Sequence, residues 1–364
     1  MTSDSDDDAL LLNCLRQRIL RDGPIAVRDY MAACLTDAEH GYYRHRAPIG
    51  RDGDFVTAPE VSQIFGELIG IWAAALWQQL GRPRQWRLIE LGPGRGTLMR
   101  DLLRALKVQP DCLGGLTVDL IDISRTLIAQ QRATLQDSPV PVSWHAEMTA
   151  DSRPALVIAN EVLDALPVRQ LVHASGQWRE RLVGLDAYGR LQFQIGAVVS
   201  AANAPATSPN GAVYETRDGF PGVLMPLAAQ ARLAPIAALF IDYGQHGPLT
   251  GETLQAVRNQ RYCAALETPG AADLSAHVDF GDLLAAARRH GLAAHGPITQ
   301  AAFLLGLGLA QRLARLTAGA DARVINQLEA GAARLVAPDA MGARFLAAAI
   351  TTPGLLPPPF APAR

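Results

Sequence analysis

Short, mostly apolar runs alternate along this chain with stretches whose apolar positions recur every three to four residues. Residues 87–91, 116–122, 140–145, 155–159 and 238–244 are apolar runs of the kind that buried parallel strands require. Helical spacing follows the first of them at 97–106, where Leu98, Leu102, Leu103 and Leu106 share a face. It recurs at 124–135, at 226–233, and from His277 to 290. Strands and helices in alternation predict an α/β fold on a mostly parallel sheet. Two more helices, 298–316 and 322–336, and a last edge strand at 345–350 complete the pattern.

Three regions depart from it. Before the first strand, 10–20, 25–35 and 64–80 read as helices, joined by a loop over 37–54 rich in Gly, Tyr, His and Arg. Thr57 is placed to cap the third of these helices, with Pro59 in its first turn and Glu60 completing a capping box. From 168 to 195 the period changes to two, broken at Ser175-Gly176 and Tyr188-Gly189, which predicts a β-meander. Residues 253–265 read as another hairpin arm. The expected organisation is a disordered start over 1–8, a helical extension over 9–84, a Rossmann-like core over 85–167 and 236–350, a β-rich insertion over 168–235, and a Pro-rich irregular tail over 351–364.

Composition narrows the partners. With 49% hydrophobic and 19% charged residues, 364 residues can bury a sizeable core. The net charge is −2, Lys107 is the only lysine, and no basic run is present, so no nucleic acid partner is expected. The apolar stretch at 301–310 is too short and glycine-broken to span a bilayer. Cys14, Cys34, Cys112 and Cys263 form no C-x-x-C pair, which signals neither a zinc site nor a disulfide framework. No metal is expected. Reduced thiols and an acidic start, unlike any targeting peptide, point to a soluble protein of the bacterial cytoplasm.

The candidate chemistry starts at Glu90-Leu-Gly92-Pro-Gly94-Arg-Gly96-Thr97, a strand end, glycine turn and helix start against which a nucleotide-like ligand can lie. An NAD-dependent oxidoreductase shares this unit, but its third glycine falls three residues after the second, not two. Glu90 would also repel a pyrophosphate, whereas it suits a ligand carrying a cationic centre and an ammonium group. Asp122, 26 residues past Gly96, ends the second strand where a carboxylate can accept from both ribose hydroxyls. Asn160-Glu161-Val-Leu-Asp164 ends the fourth strand, in the crevice position of open α/β sheets. If 161–164 opens a helical turn, Glu161 and Asp164 share one face; otherwise they serve as helix caps. Glu60 and Asp242 each have a site reading and a structural one, as capping-box partner and as strand-end anchor. Tyr43 and His277 are further candidates.

The turn E-L-G-x-G-x-G resembles motif I of the class I S-adenosylmethionine (SAM) methyltransferases. A wider resemblance rests on Gly23–Met31, Gly41-Tyr-Tyr43, Gly53-Asp-Phe-Val-Thr-Ala-Pro-Glu60 through Glu67, Glu90–Leu98, Asn160–Pro167, Asp242-Tyr-Gly244 and Pro269–Phe280, in that order. Together these resemble the family that includes the mitochondrial complex I assembly-factor protein arginine methyltransferase and its bacterial relatives. The resemblance implies a class I methyltransferase fold, with SAM as donor and S-adenosyl-L-homocysteine as product, and the N-terminal extension folded over the cofactor as a lid. It implies cofactor contacts from Thr57, Pro59, Glu90, Gly92, Gly94, Gly96, Thr97, Asp122, Ile123, Asn160, and, around the adenine, Glu147 and Met148. It further implies a protein substrate, in a bacterium the complex I quinone-reductase subunit, with Glu161, Asp164, Glu60 and Asp242 as catalytic candidates. A non-catalytic SAM-binding assembly factor and a small-molecule methyltransferase stay open as alternatives, as does a homodimer. The chain departs from the family at Asp122, where Glu is usual, at Val162-Leu163, where aromatic residues are common, and at Asn259-Gln260, where a histidine is common.

Overall fold

The computed structural model of the chain describes residues 4–45, 57–201 and 203–360. The central sheet contains β1 (Trp86–Leu91), β2 (Leu116–Ile121), β3 (Val142–His145), β4 (Ala155–Asn160), β5 (Ile236–Gln245), β6 (Ala293–Thr299) and β7 (Phe345–Thr351). Their order is β6-β7-β5-β4-β1-β2-β3. Neighbours from β5 to β3 are parallel, and β7 runs antiparallel between β5 and β6. The α/β fold expected from the alternation is the fold observed.

Side chains of successive strand residues point to opposite faces, and here both faces are covered. Leu88, Leu156, Ile158, Leu239 and Ile241 pack with Phe65, Trp72, Leu98 and Leu102 from helices Gln63–Gln79 and Thr97–Leu106. The intervening Ile89, Val157, Ala238 and Phe240 pack with Leu224, Leu227, Phe280 and Leu283 from helices Pro221–Leu233 and Phe280–Arg289. Burial on both faces is why the strands read as predominantly apolar runs.

Several expectations are corrected. The strand expected at an edge, β7, is internal, and its Ala347-Ala-Ala-Ile350 run is small enough to be packed on both sides. The edge is β6, whose last two residues, Ile298 and Thr299, were expected to open a helix; Pro297 sits there at a register shift between His295 and Ile298, a position an edge strand tolerates. The helical pattern after it breaks at Gly308 into Gln300–Gly306 and Leu309–Thr317. No helix begins at His277: residues 278–279 pair with the end of β5, and Asp279 caps the helix by accepting from the amide of Asp282 at 3.0 Å.

At the N-terminus a helix spans Asp4–Asp22, over residues 4–8 that were expected to be disordered. Ile25–Ala26 forms a strand and the helix follows at Val27–Thr36. Within the expected loop, Tyr42–His45 is a helical turn, and 46–54 lies outside the described residues. The capping box is not formed: Thr57 makes no side-chain cap, and the helical turn Ala58–Val61 ends at Ser62, which caps Gln63–Gln79. Glu67 on that helix is buried and accepts from Arg104 at 2.9 Å and Arg312 at 2.7 Å, joining three helices.

The meander appears as Arg169–Ala174, Gln177–Leu185 and Leu191–Val198. It belongs to a six-stranded antiparallel sheet that also takes in Val213–Thr216, Ile25–Ala26 and Leu249–Thr250. The two-residue strands come from far along the chain, which is why periodicity within 168–195 did not reveal them.

Candidate functional site

Strand register assembles the site. Leu91 pairs with Ile121 and Ala159, and Ile241 with Asn160, so the loops leaving β1, β2, β4 and β5 lie side by side. In the glycine turn Gly92 and Gly94 have φ of 58° and 53°, a left-handed conformation that costs a side chain strain. A Cβ on Gly92 would also lie 2.8 Å from Val162 Cγ2. The turn therefore presents bare backbone. Gln131, on the helix after β2, donates from Nε2 to the Gly94 carbonyl at 2.8 Å and to Asp122 Oδ2 at 2.7 Å. Burial holds the Asp122 carboxyl above the usual carboxylate range.

Two cavities with shared lining residues open here. The larger, about 700 Å³, is lined by Thr57, Gly92, Gly94, Asp122, Ile123, Glu147, Met148, Glu161 and Asp164 among the predicted residues. Also on its wall are Tyr43, Tyr243, Asp273 and the start of helix Pro221–Leu233. Asp122, Glu147, Glu161, Asp164 and Asp273 give this wall five carboxylates and, among the described lining residues, no Lys, Arg or His. The smaller shares Thr57, Gly92, Gly94 and Glu161 and adds Pro59, Glu60, Glu90, Thr97 and Asn160. Glu90 Oε2 and Asn160 Oδ1 are buried there without a hydrogen-bond partner among the described residues. Burial, and secondarily the charge of Asp122, pushes the Glu90 carboxyl up to about 8.

The loop after β4 does not form the expected helical turn. Glu161 takes φ of 53°, and the amides of Val162, Leu163 and Asp164 converge on Asp242 Oδ2 at 3.1, 2.8 and 3.2 Å. Asp242 is fully buried and lines neither cavity, so its carboxylate holds the loop from behind. Glu161 Oε1 accepts from the Ala58 amide at 3.0 Å and from Asn160 Nδ2 at 3.1 Å. Burial pushes Glu161 up to about 7 and raises Asp164 as well. Glu60 accepts from Thr97 Oγ1 at 2.5 Å, clasping the N-terminal segment to the helix of the glycine turn in place of its expected capping bond. Gly96 starts that helix in a left-handed conformation and lines neither cavity. His277 lies off both, stacked edge-on against Tyr243.

Sequence reasoning missed Asp273 and residues 221–226 as cavity wall. Asp273 accepts from the Tyr43 hydroxyl at 3.0 Å, and its only signal was a place in the segment 269–280. The helix was expected only from Pro226, and Pro221–Met225, which begin it in the structure, carried no signal.

An acidic wall, an unpartnered buried carboxylate and a turn that a side chain would fill fit a cationic nucleoside better than a dinucleotide pyrophosphate. Residues 68–298 match the profile of a family of S-adenosyl-L-methionine-dependent methyltransferases. The chain belongs to that family. Its methyl donor is S-adenosyl-L-methionine.

The methyltransferase is 37% identical over 368 residues to the mitochondrial protein arginine methyltransferase NDUFAF7 of Xenopus laevis, covering 92% of this chain and 83% of the relative. With human NDUFAF7 the identity is 34% over 370 residues, covering 92% and 82%. A Burkholderia thailandensis protein solved with S-adenosyl-homocysteine superposes with a TM-score of 0.83 at 28% identity, covering 96% and 95% of the two chains. The bacterial cytoplasmic location expected from the sequence is overturned by these relatives, which are mitochondrial proteins of animals. Among the described residues, no helix is long and apolar enough to cross a membrane.

Proposed function

We propose that this methyltransferase acts on an arginine side chain of a protein, a subunit of respiratory complex I. The observation that carries this reading is the larger cavity's wall, with five carboxylates and no basic side chain among its described lining residues. The arginine methyltransferases among its relatives support it.

A guanidinium stays protonated in proteins, with a pKa above about 12, so its binding site must be anionic. Glu161 and Asp164, both on the cavity wall, hold it through charge-assisted hydrogen bonds that aim one nitrogen into the cavity. The bound donor supplies an electrophilic methyl on a sulfonium centre. Glu161 Oε1 is engaged by Ala58 and Asn160. With this carboxyl pushed up to about 7, Oε2 can take the proton released from the methylated nitrogen near neutral pH. Asp122, set by Gln131, would hold the ribose of the donor, and Glu90 with Asn160 would hold its ammonium end.

The test compares the proteome of a deletion strain with its parent by mass spectrometry, then adds the purified enzyme and SAM to the deletion lysate. A dimethylarginine lost from a complex I subunit and restored in vitro is the expected result. A protein-arginine methylome identical in the two strains would overturn the reading.

A further inference from the structure

Arg217 follows the strand Val213–Thr216 and lies buried beneath the loop that carries Glu161 and Asp164. Its guanidinium bonds to main-chain carbonyls on both sides of the site. Nε donates to Leu166 O at 3.0 Å, and Nη2 to Asp164 O at 3.0 Å and Ala276 O at 2.8 Å. Nη1 donates to His277 O at 2.8 Å. The side chain is not part of either cavity wall.

A buried guanidinium is costly, and where packing alone is at stake an apolar side chain serves as well or better. A retained buried charge therefore asks for a role. The loop of 164–166 and the segment 276–277 are both irregular backbone, and one planar fork with fixed donors spans them. The same cation sits in the field of Asp164, Asp242 and Glu215.

We propose that Arg217 is a positioning residue for methyl transfer, fixing the loop of Asp164 from below and keeping the Asp164 carboxylate charged for a cationic acceptor. The inference rests on the acidic grip described under Proposed function. Asp164 also faces other titratable groups. Glu161 and Asp242 crowd it with like charge, and the Tyr43 and Tyr243 phenols lie against it. His277 feels both Asp164 and Arg217, and burial lowers its pKa, so it carries no positive charge at neutral pH. Against the burial that raises the Asp164 carboxyl act a hydrogen bond from the Tyr243 side chain first and the positive charge of Arg217 second.

The experiment follows radiolabelled methyl incorporation from SAM into the deletion-strain lysate between pH 6 and 9, alongside calorimetry of SAM binding. Wild type is compared with Arg217→Lys, Arg217→Met and Asp164→Asn. Arg217→Met is expected to lose about 100-fold in transfer at pH 7, as misplaced site loops do. Its acidic limb should move up by about one pH unit or more, because an opposite charge has been removed from a carboxylate. SAM affinity should stay within a factor of about three. Arg217→Lys, which keeps the charge and loses the fork, should be slower with its acidic limb unmoved. A wild-type profile in Arg217→Met overturns the inference. If that variant no longer binds SAM, a shifted limb in Arg217→Lys overturns it instead. Full transfer by Asp164→Asn would remove the acidic grip itself, a failure distinct from that of Arg217.

Discussion

Gln131 holds Asp122: its Nε2 donates to Asp122 Oδ2 at 2.7 Å while the same nitrogen donates to the Gly94 carbonyl at 2.8 Å. One buried side chain thus fixes the distance between the glycine turn and the carboxylate at the end of β2. Its Oε1 accepts from Trp144 Nε1 at 2.9 Å, which prevents the amide from turning over.

Replacing Gln131 with Leu fills the space and leaves Asp122, Gly94 O and Trp144 Nε1 without this partner. Each buried polar group left unpaired costs about 1–3 kcal/mol, part of it expressed in cofactor binding. We expect SAM affinity to fall by about tenfold or more in calorimetry. Wild-type affinity would show that Asp122 needs no support.

Gly94→Val places a β-branched side chain at φ of 53° inside the cavity wall. Gly92→Ala combines φ of 58° with a contact of 2.8 Å to Val162 Cγ2. Both variants should fold and bind no SAM. Normal titration curves would move the donor away from this turn.

Glu161→Gln keeps an oxygen for the Ala58 amide and removes the charge. It should retain SAM binding and lose methyl transfer into lysate protein. Glu161→Ala additionally frees the N-terminal segment at Ala58, so its SAM affinity should be the lower of the two. Unchanged turnover in Glu161→Gln would take Glu161 out of the chemistry.

Glu90 and Glu161 are raised by burial to about 8 and about 7, so the folded protein binds protons there that the unfolded chain has released. Their contribution is intact below the unfolded carboxylate range and is lost as pH rises through 7 and 8. The free protein should therefore show a falling Tm between pH 5.5 and 8.5 in scanning fluorimetry. Glu90→Gln should flatten that slope; an equal slope in the variant would contradict the assignment.

Glu67→Gln removes the carboxylate shared by Arg104 and Arg312. Both arginines reach solvent, which limits the loss, and about 1–3 kcal/mol of stability is expected in urea unfolding. SAM affinity should be unchanged, since Glu67 lines neither cavity.

The parts of the fold legible in the sequence are those set by near neighbours. Buried strands, the helix at Ala322–Val336, and the ends of β1, β2 and β4 follow from apolar runs and from glycine, proline and carboxylate positions a few residues apart. Where the reading failed, a distant partner had overridden a local preference. The helical turn expected at Glu161 gave way because Asp242, from the next sheet strand, collects three amides of that loop. The capping box at Glu60 gave way to Thr97.

By itself the sequence determined the sheet's parallel core and the bare-backbone turn at Gly92 and Gly94, because covalent adjacency places strand end, turn and helix start together. Only the tertiary structure decided which carboxylates share a cavity. Asp273 joins Glu161 and Asp164 on its wall, Asp242 is withdrawn behind the loop, and Arg217 arrives from another sheet to face them. These are distance-dependent electrostatic relations between residues far apart in the chain, and no local periodicity carries them.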